Sequence, residues 1–110
     1  DEVKFKDGQK DGLWTTWHEN GQKKSEANWK DGREDGLWTT WHENGQKKSE
    51  ENYKGGNLYG LTTDSYENGI KKAESNWKDG EQDGLIVEYD ILGKETYRAV
   101  YSKGFLQESR

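Results

Sequence analysis

Residues 11–26 read DGLWTTWHENGQKKSE, and residues 35–50 repeat the same letters in the same order. The copies begin at Asp11 and Asp35, an offset of 24 residues. A fixed period between about 20 and 50 residues is typical of proteins that stack one small structural unit several times. A feature that recurs in every unit is therefore expected to serve the stacking. A specific function must come from the assembled surface or from units that depart from the pattern.

The period divides the whole chain into units. We predict one repeat domain over 1–110, with a partial repeat at 1–10, full repeats at 11–34, 35–58 and 59–82, and a divergent capping repeat at 83–110. Terminal repeats close a stack with something other than the next copy, and the aliphatic stretch LIVEYDIL at 85–92 fits such a cap. The chain opens in the middle of a unit and contains no methionine, so we expect it to be a piece of a longer parent.

The composition favours a thin core made of aromatic rings. The chain has a net charge of −5 and 35% charged residues, and much of its apolar content lies in six Trp, six Tyr and two Phe. Each such ring can bury roughly 150–250 Å². The acidic balance disfavours nucleic acid and anionic membrane as partners, and no apolar run approaches the roughly 20 residues of a membrane-spanning helix. There is no cysteine for a disulfide or a thiolate metal site.

Glycine-containing turn signals alternate along the chain. Asn-Gly favours two-residue type I′ hairpins because both positions need positive φ, and it occurs at Asn20-Gly21, Asn44-Gly45 and Asn68-Gly69. The return turns carry the same turn chemistry, at Asp7-Gly8, Asp31-Gly32, Gly55-Gly56 and Asp79-Gly80. These turns predict an all-β fold, a single-layer antiparallel meander of stacked β-hairpins that forms an open, elongated and twisted sheet.

A turn centred on Asn20-Gly21 sets the strand register. The expected partners are Trp17 with Lys24, Trp14 with Ala27, Gly12 with Trp29 and, beyond the next turn, Ala27 with Gly36. Partners share a face of the sheet. The first face thus collects a structural stripe, which consists of Phe5, Trp14, Trp29, Trp38, Tyr53, Trp77, Ile86 and Tyr101. We expect the recurring glycine to leave room for a ring to lie over bare backbone.

The unit pattern GLWTTWHENGQKKSExNWKDG resembles the bacterial variant of the MORN repeat. The shared hallmarks are a glycine followed by two aromatics, an Asn-Gly pair and a later aromatic before a glycine turn. The resemblance covers residues 1–104, and the repeats at 11–34 and 35–58 carry every hallmark. It implies hairpins stacked in a single antiparallel layer, no catalytic residue, and a role in protein scaffolding or phospholipid binding. Bacterial proteins with this variant are often antitoxin or immunity-type components, and others are surface-linked or secreted.

The second face offers the candidate contact residues. Trp17 and Trp41 lie there beside lysines, and we predict a partner-binding set of Trp17, Trp41, His18, His42, Lys24 and Lys48. The two histidines are about 9.5 Å apart in this register, too far for one metal ion, and we predict no metal site. Nothing desolvates one of the recurring carboxylates Glu26, Glu50 and Glu74 relative to the others, as acid/base catalysis requires. We therefore predict no catalytic residue and no cofactor.

These features predict a non-enzymatic repeat scaffold that binds another protein. The resemblance suggests an antitoxin or immunity-type component that blocks a toxin sterically. Two alternatives remain open: a carbohydrate- or cell-surface-binding module that uses the aromatic rings, and a structural spacer or dimerising arm that self-associates through free sheet edges. The compartment is open as well, being the bacterial cytoplasm for an antitoxin, or an exported or surface location if the parent carries a signal peptide.

Overall fold

The computed structural model describes residues 5–6 and 8–109, and for residues 5, 6 and 109 the description is of the backbone alone. Within these ranges the chain forms strands and turns, and no helix there is long and apolar enough to cross a membrane. The strands are β1 (Phe5–Lys6), β2 (Gln9–Lys10), β3 (Gly12–Trp17), β4 (Lys23–Lys30), β5 (Arg33–Trp41), β6 (Lys47–Lys54), β7 (Asn57–Leu58), β8 (Gly60–Ser65), β9 (Lys71–Lys78), β10 (Glu81–Tyr89), β11 (Glu95–Ser102) and β12 (Phe105–Ser109).

Consecutive strands pair in a meander. The main sheet runs β12-β11-β10-β9-β8-β6-β5-β4-β3, with β7 beside β6 as its tenth strand, and its pairings are antiparallel. Strands β1 and β2 form a separate antiparallel pair. The molecule measures 47 × 34 × 12 Å, which fits one twisted layer. The predicted all-β, single-layer open meander of hairpins is confirmed.

The return turns are two-residue type I′ turns, as the sequence predicts. Asp31 and Gly32 have φ angles of 51° and 81°, so both central residues take the positive φ that this turn requires. The turns at Gly55-Gly56 and Asp79-Gly80 have the same form. At the remaining predicted return turn, Asp7 lies outside the described residues.

The hairpin tips differ from the prediction, and the type I′ assignment at Asn-Gly is wrong. In the first tip Gly21 has a φ of 89°, whereas Asn20 has no positive φ. The N–H of Gly21 donates to the carbonyl of His18 at 3.0 Å, and His18 donates its own N–H to the carbonyl of Gln22 at 2.8 Å. This is a three-residue loop, a type I turn followed by a left-handed glycine. Asn20 supports it, because its Oδ1 accepts the N–H of Gln22 at 3.0 Å.

The longer loop changes the register next to the tip. Trp17 pairs with Lys23, and the predicted pairing with Lys24 is wrong, because a bulge adds one residue to the returning strand. Nearer the centre of the sheet the register is as predicted, and the confirmed pairs are Trp14 with Ala27 and Gly12 with Trp29.

A second bulge lies where each unit begins. Ala27 pairs with Trp38, and the predicted pairing with Gly36 is wrong, because β5 carries two extra residues at this point. Gly36 takes a φ of 94° there, and Asn28 Nδ2 donates to the carbonyl of Leu37 at 3.3 Å. A shift of two residues preserves the alternation of side chains between the faces. Trp38 therefore stays on the predicted face.

Backbone conformation, rather than space for a ring, explains the recurring glycine. A Cβ added at Gly36 would meet Asn28 at 3.8 Å, and one at Gly84 would lie 3.2 Å from the Cβ of Asn76. At neither position is an aromatic ring the nearest neighbour, so the predicted role in accommodating a ring is wrong. The φ angles of 94° at Gly36 and 105° at Gly84 are what favour glycine.

The first face carries a continuous row of rings in the N-terminal half. The ring centroids of Trp14 and Trp29 are 5.4 Å apart, those of Trp29 and Trp38 are 6.5 Å apart, and those of Trp38 and Tyr53 are 5.6 Å apart. Lys10 covers the N-terminal end, with its Nζ 4.4 Å from the Trp14 ring centroid and 4.5 Å from that of Trp29. These rings pack mainly on one another and on the sheet below them.

Beyond Tyr53 the stripe changes character. Trp77 pairs with Gly60 and Tyr101 pairs with Gly84, in the same way as Trp29 pairs with Gly12, and both rings are half-buried. The side chain of Phe5 lies outside what the structure describes. Small and aliphatic side chains are the most deeply buried apolar groups of the described residues, and these are Ala27, Ile86, Val87 and Ala99.

Candidate functional site

The hairpin tips of successive units are joined by side chains that reach the next unit's backbone. His18 Nε2 lies 2.9 Å from the carbonyl oxygen of Trp41, and Asn20 Nδ2 donates to the carbonyl of Glu43 at 2.8 Å. The second unit repeats both contacts, from His42 and Asn44. Because a carbonyl only accepts, Nε2 of each histidine carries the hydrogen, and in the neutral ring Nδ1 keeps an acceptor lone pair. The tips are thus held side by side at a fixed spacing.

Two cavities of the same kind open between the joined tips. We call them the first and second tip cavities. The first has a volume of about 480 Å³ and is lined by Trp17, His18, Glu19, Asn20, Lys24 and Glu43. The second has a volume of about 500 Å³ and is lined by His18, Trp41, His42, Glu43, Asn44, Lys48 and Glu67. The structure therefore brings all six of the predicted partner-binding residues to the walls of two equivalent cavities.

The lysine pairs divide between two environments. Lys23 Nζ lies 2.9 Å from Glu26 Oε2, and Lys47 Nζ lies 3.3 Å from Glu50 Oε1. The second lysine of each pair, Lys24 or Lys48, makes no ion pair with any residue that the structure describes. Those second lysines are the ones that line the tip cavities. The predicted contact lysines are therefore charges that no ion pair within the described residues neutralises.

Glutamates at the tips were not among the predicted site residues. Glu19 and Glu43 line the first cavity, and Glu43 and Glu67 line the second. All three are exposed, and within the described ranges none of them makes an ion pair. The repeated His-Glu-Asn triplet was the available signal, but it shows its meaning only when neighbouring tips are known to touch.

A groove on the second face shares Trp17 with the first tip cavity and Trp41 with the second. It has a volume of about 280 Å³ and is lined by Trp17, Gly21, Gln22, Lys23, Trp41 and Gly45. Trp17 is 49% exposed, and Lys23 Nζ lies 5.8 Å from the ring centroid of Trp41. Each indole thus borders both a tip cavity and the groove. Trp41 is half-buried, whereas a large exposed ring such as that of Trp17 is typical of surfaces that bind other proteins.

The third unit keeps the joint between tips but changes the walls. Tyr66 occupies the histidine position, and its hydroxyl donates to the carbonyl of Tyr89 at 2.8 Å. Ser65 stands where the first two units have tryptophan, and Ile91 stands where they have the second glutamate. The third tip therefore lacks both the indole and one of the two carboxylates found at the first two tips.

Other polar groups are engaged elsewhere in the sheet. Among the described residues, no group of three or more His, Asp or Glu could hold a metal ion. On the first face the Tyr53 hydroxyl donates to Glu51 Oε2 at 3.0 Å. Burial raises the pKa of Tyr53 to about 12, and the nearby charges of Glu51 and Glu34 act in the same direction. These groups do not converge on the tip cavities.

Comparison with known proteins agrees with the repeat seen in the fold. The family model of the MORN repeat variant matches residues 10–31 and 34–54. This match supports a MORN-repeat protein, and such repeats generally act as non-enzymatic scaffolds that bind proteins or membranes. The matched segments contain Trp17, His18 and Lys24 of the first cavity and their equivalents in the second. Among curated proteins, none matches this chain.

Proposed function

We propose that the tip cavities and the groove between Trp17 and Trp41 form the contact surface of a protein-binding scaffold, as the match to the MORN repeat variant suggests. The observation that carries the proposal is the exposure of Trp17, 49% in a sheet with few other core groups. The third unit has Ser65 at the equivalent position and still joins the next tip. An indole at this position is therefore not required for the joint between tips, and the exposed Trp17, with the half-buried Trp41 beside it, offers ring surface to a partner.

The first face supports the proposal less well. Its rings are inclined to each other by 41° to 52° and pack at centroid distances of 5.4 to 6.5 Å. A flat platform for sugar rings would need coplanar exposed faces, and this row does not offer them. A carbohydrate ligand could also use the tip indoles, and a glycan array distinguishes it from a protein partner.

More specifically, we propose that the protein is an antitoxin or immunity-type component. A rigid sheet with indoles and unpaired charges at its tips would cover the working surface of a toxin and block it sterically, without chemistry of its own. The test is growth of cells that express the toxin-like product of a neighbouring gene. The wild-type chain should restore growth, and the double variant Trp17→Ala/Trp41→Ala should not.

The general proposal, that the tips bind a protein, is tested by affinity capture with matched variants. Trp17→Ala/Trp41→Ala should weaken partner binding by at least about tenfold, since tryptophan anchors in interfaces often contribute 2 kcal/mol or more. The control is Phe105→Ala/Leu106→Ala, which removes two side chains of 74% and 53% exposure from β12, away from the tips. Circular dichroism should show an unchanged fold for both. Equal capture by the tip variant and the wild type would contradict the proposal.

A further inference from the structure

The two tip cavities share one charge pattern. Each contains two glutamate carboxylates, one lysine ammonium and one indole. Glu43 lies between them and lines both. No ion pair within the described residues neutralises these carboxylates. Because Glu43 is shared, the two cavities together hold three carboxylates and two ammonium groups, which leaves one excess negative charge for the pair beside two indole rings.

We propose that each tip cavity takes a basic side chain, and that the pair binds an extended peptide segment with Arg or Lys at positions i and i+3. This rests on the proposed protein-binding function and names the chemistry of the partner. A guanidinium group suits the walls, because it stacks on indole rings and binds carboxylates with two parallel hydrogen bonds. The net charge of −5 adds a general attraction for a basic partner.

The distance between the cavities selects the spacing of the basic residues. Equivalent points in successive units are two strands apart, about 9.6 Å. A polyproline II segment rises about 3.1 Å per residue with three residues per turn. Residues i and i+3 therefore lie on the same side, about 9.3 Å apart. A β-strand places side chains of one face about 6.7 or 13 Å apart, and neither spacing matches.

The third unit explains why the proposed segment has two anchor residues rather than three. Ser65 and Ile91 remove the indole and the second carboxylate, while Lys72 remains. Glu67, which also lines the second cavity, is then the carboxylate left at this tip. The repeat itself thus supplies a comparison between two positions suited to a cation and one that is not.

Stiff synthetic peptides test the spacing. The probe is an otherwise neutral peptide that contains Arg-Pro-Pro-Arg, and the controls contain Arg-Pro-Arg or Arg-Pro-Pro-Pro-Arg at equal net charge. We expect the first to bind at least about threefold more tightly than either control, measured by calorimetry at moderate salt. Equal affinity for the three peptides, or no binding of any, would overturn the proposal.

The sign of the charge is tested by substitutions in the cavities. Glu43→Gln should weaken Arg-Pro-Pro-Arg binding by about threefold to tenfold, because it removes a carboxylate from both cavities. Lys24→Gln/Lys48→Gln should tighten binding, because it removes the opposing cations. The control is Glu108→Gln, an equal change of charge on an exposed residue of β12. The reverse signs would identify an anionic guest and refute the basic-peptide assignment.

A gain of function follows from the third unit. Ser65→Trp/Ile91→Glu should create a third site and increase the affinity for Arg-Pro-Pro-Arg-Pro-Pro-Arg relative to the wild type. The backbone carbonyls that join the tips are untouched by these changes. An unchanged affinity in a folded variant would contradict the assignment of the indole and the second glutamate as the groups that bind the basic side chain.

The outcomes separate this inference from the proposed function. If partner capture depends on Trp17 and Trp41 while the arginine probe does not bind, the basic-peptide assignment fails and the scaffold proposal stands. If capture is also independent of the two indoles, both fail.

Discussion

The third unit and the first two units are built on the same backbone but differ in their rings. His42 Nε2 lies 2.9 Å from the carbonyl oxygen of Ser65, and one unit later the Tyr66 hydroxyl lies 2.8 Å from the carbonyl oxygen of Tyr89. The asparagine contact is kept as well, from Asn68 to Ile91 at 3.0 Å. The third unit therefore preserves the joint between tips although the indole equivalent to Trp41 is absent.

This comparison separates two kinds of repeated residue. Side chains that reach the next unit's carbonyl hold the stack together, and histidine or tyrosine can do so because each offers a donor at a suitable distance. The tip indoles contribute surface rather than stacking, and the units differ in them. Repetition alone does not identify a structural role, whereas the contacts of the divergent copy do.

The largest expected effect is the loss of a first-face ring. Trp29 packs between Trp14 and Trp38 at 5.4 and 6.5 Å, so Trp29→Ala should lower the free energy of unfolding by about 2–4 kcal/mol. Trp17→Ala, on the exposed surface, should lower it by less than about 1 kcal/mol. Urea unfolding followed by circular dichroism measures both values. Equal losses would show that the tip indoles are also structural.

The next effect concerns the bulge glycines. Gly84→Ala should cost about 1–3 kcal/mol, because φ is 105° and the new Cβ would lie 3.2 Å from Asn76 Cβ. Gly60→Ala is the matched control: its φ is 78°, and nothing lies within 4 Å of an added Cβ. It should therefore cost less than Gly84→Ala in thermal unfolding. The opposite order would mean that contact with the neighbouring asparagine does not determine the loss of stability.

Much of this architecture could be predicted from the sequence because its cause is local. The period, the return turns at Asp31-Gly32 and the shared face of Trp14 and Trp29 follow from residue type and alternation. The tip loop could not be settled in this way, since Asn-Gly suits both a two-residue turn and a three-residue loop that ends in left-handed glycine. The cross-unit contact of His18 with the Trp41 carbonyl accompanies the second form, and it appears only after stacking.

The site was predicted only in part, because some of its residues come together only when neighbouring units stack. Trp17 and Lys24 could be placed near a tip from strand alternation, even though their predicted pairing was wrong. Glu43 could not, because it joins the first cavity only through the neighbouring unit's tip. Which lysine of each pair remains unpaired also depends on the bulge, since Lys23 reaches Glu26 and Lys24 does not.

A smaller effect should come from the joint between tips. His42→Ala removes the donor to the Ser65 carbonyl and should cost about 1 kcal/mol. His42→Tyr should recover most of this loss, because Tyr66 makes the equivalent bond in the next unit. The measurement is the unfolding midpoint of the two variants beside the wild type. Failure of tyrosine to rescue would indicate that the joint depends on the imidazole itself.

The smallest effect compares two equivalent indoles. Trp77 Nε1 donates to the Thr62 hydroxyl at 3.1 Å, whereas the buried Nε1 of Trp29 has no hydrogen-bond partner among the described residues. Phenylalanine keeps an aromatic ring and removes the N–H. Trp77→Phe should therefore cost about 0.5–1.5 kcal/mol more than Trp29→Phe, the net value of one hydrogen bond. Adding Thr62→Val should abolish the difference in a double-mutant cycle. If the difference persists, ring packing rather than the hydroxyl of the divergent unit distinguishes the two positions.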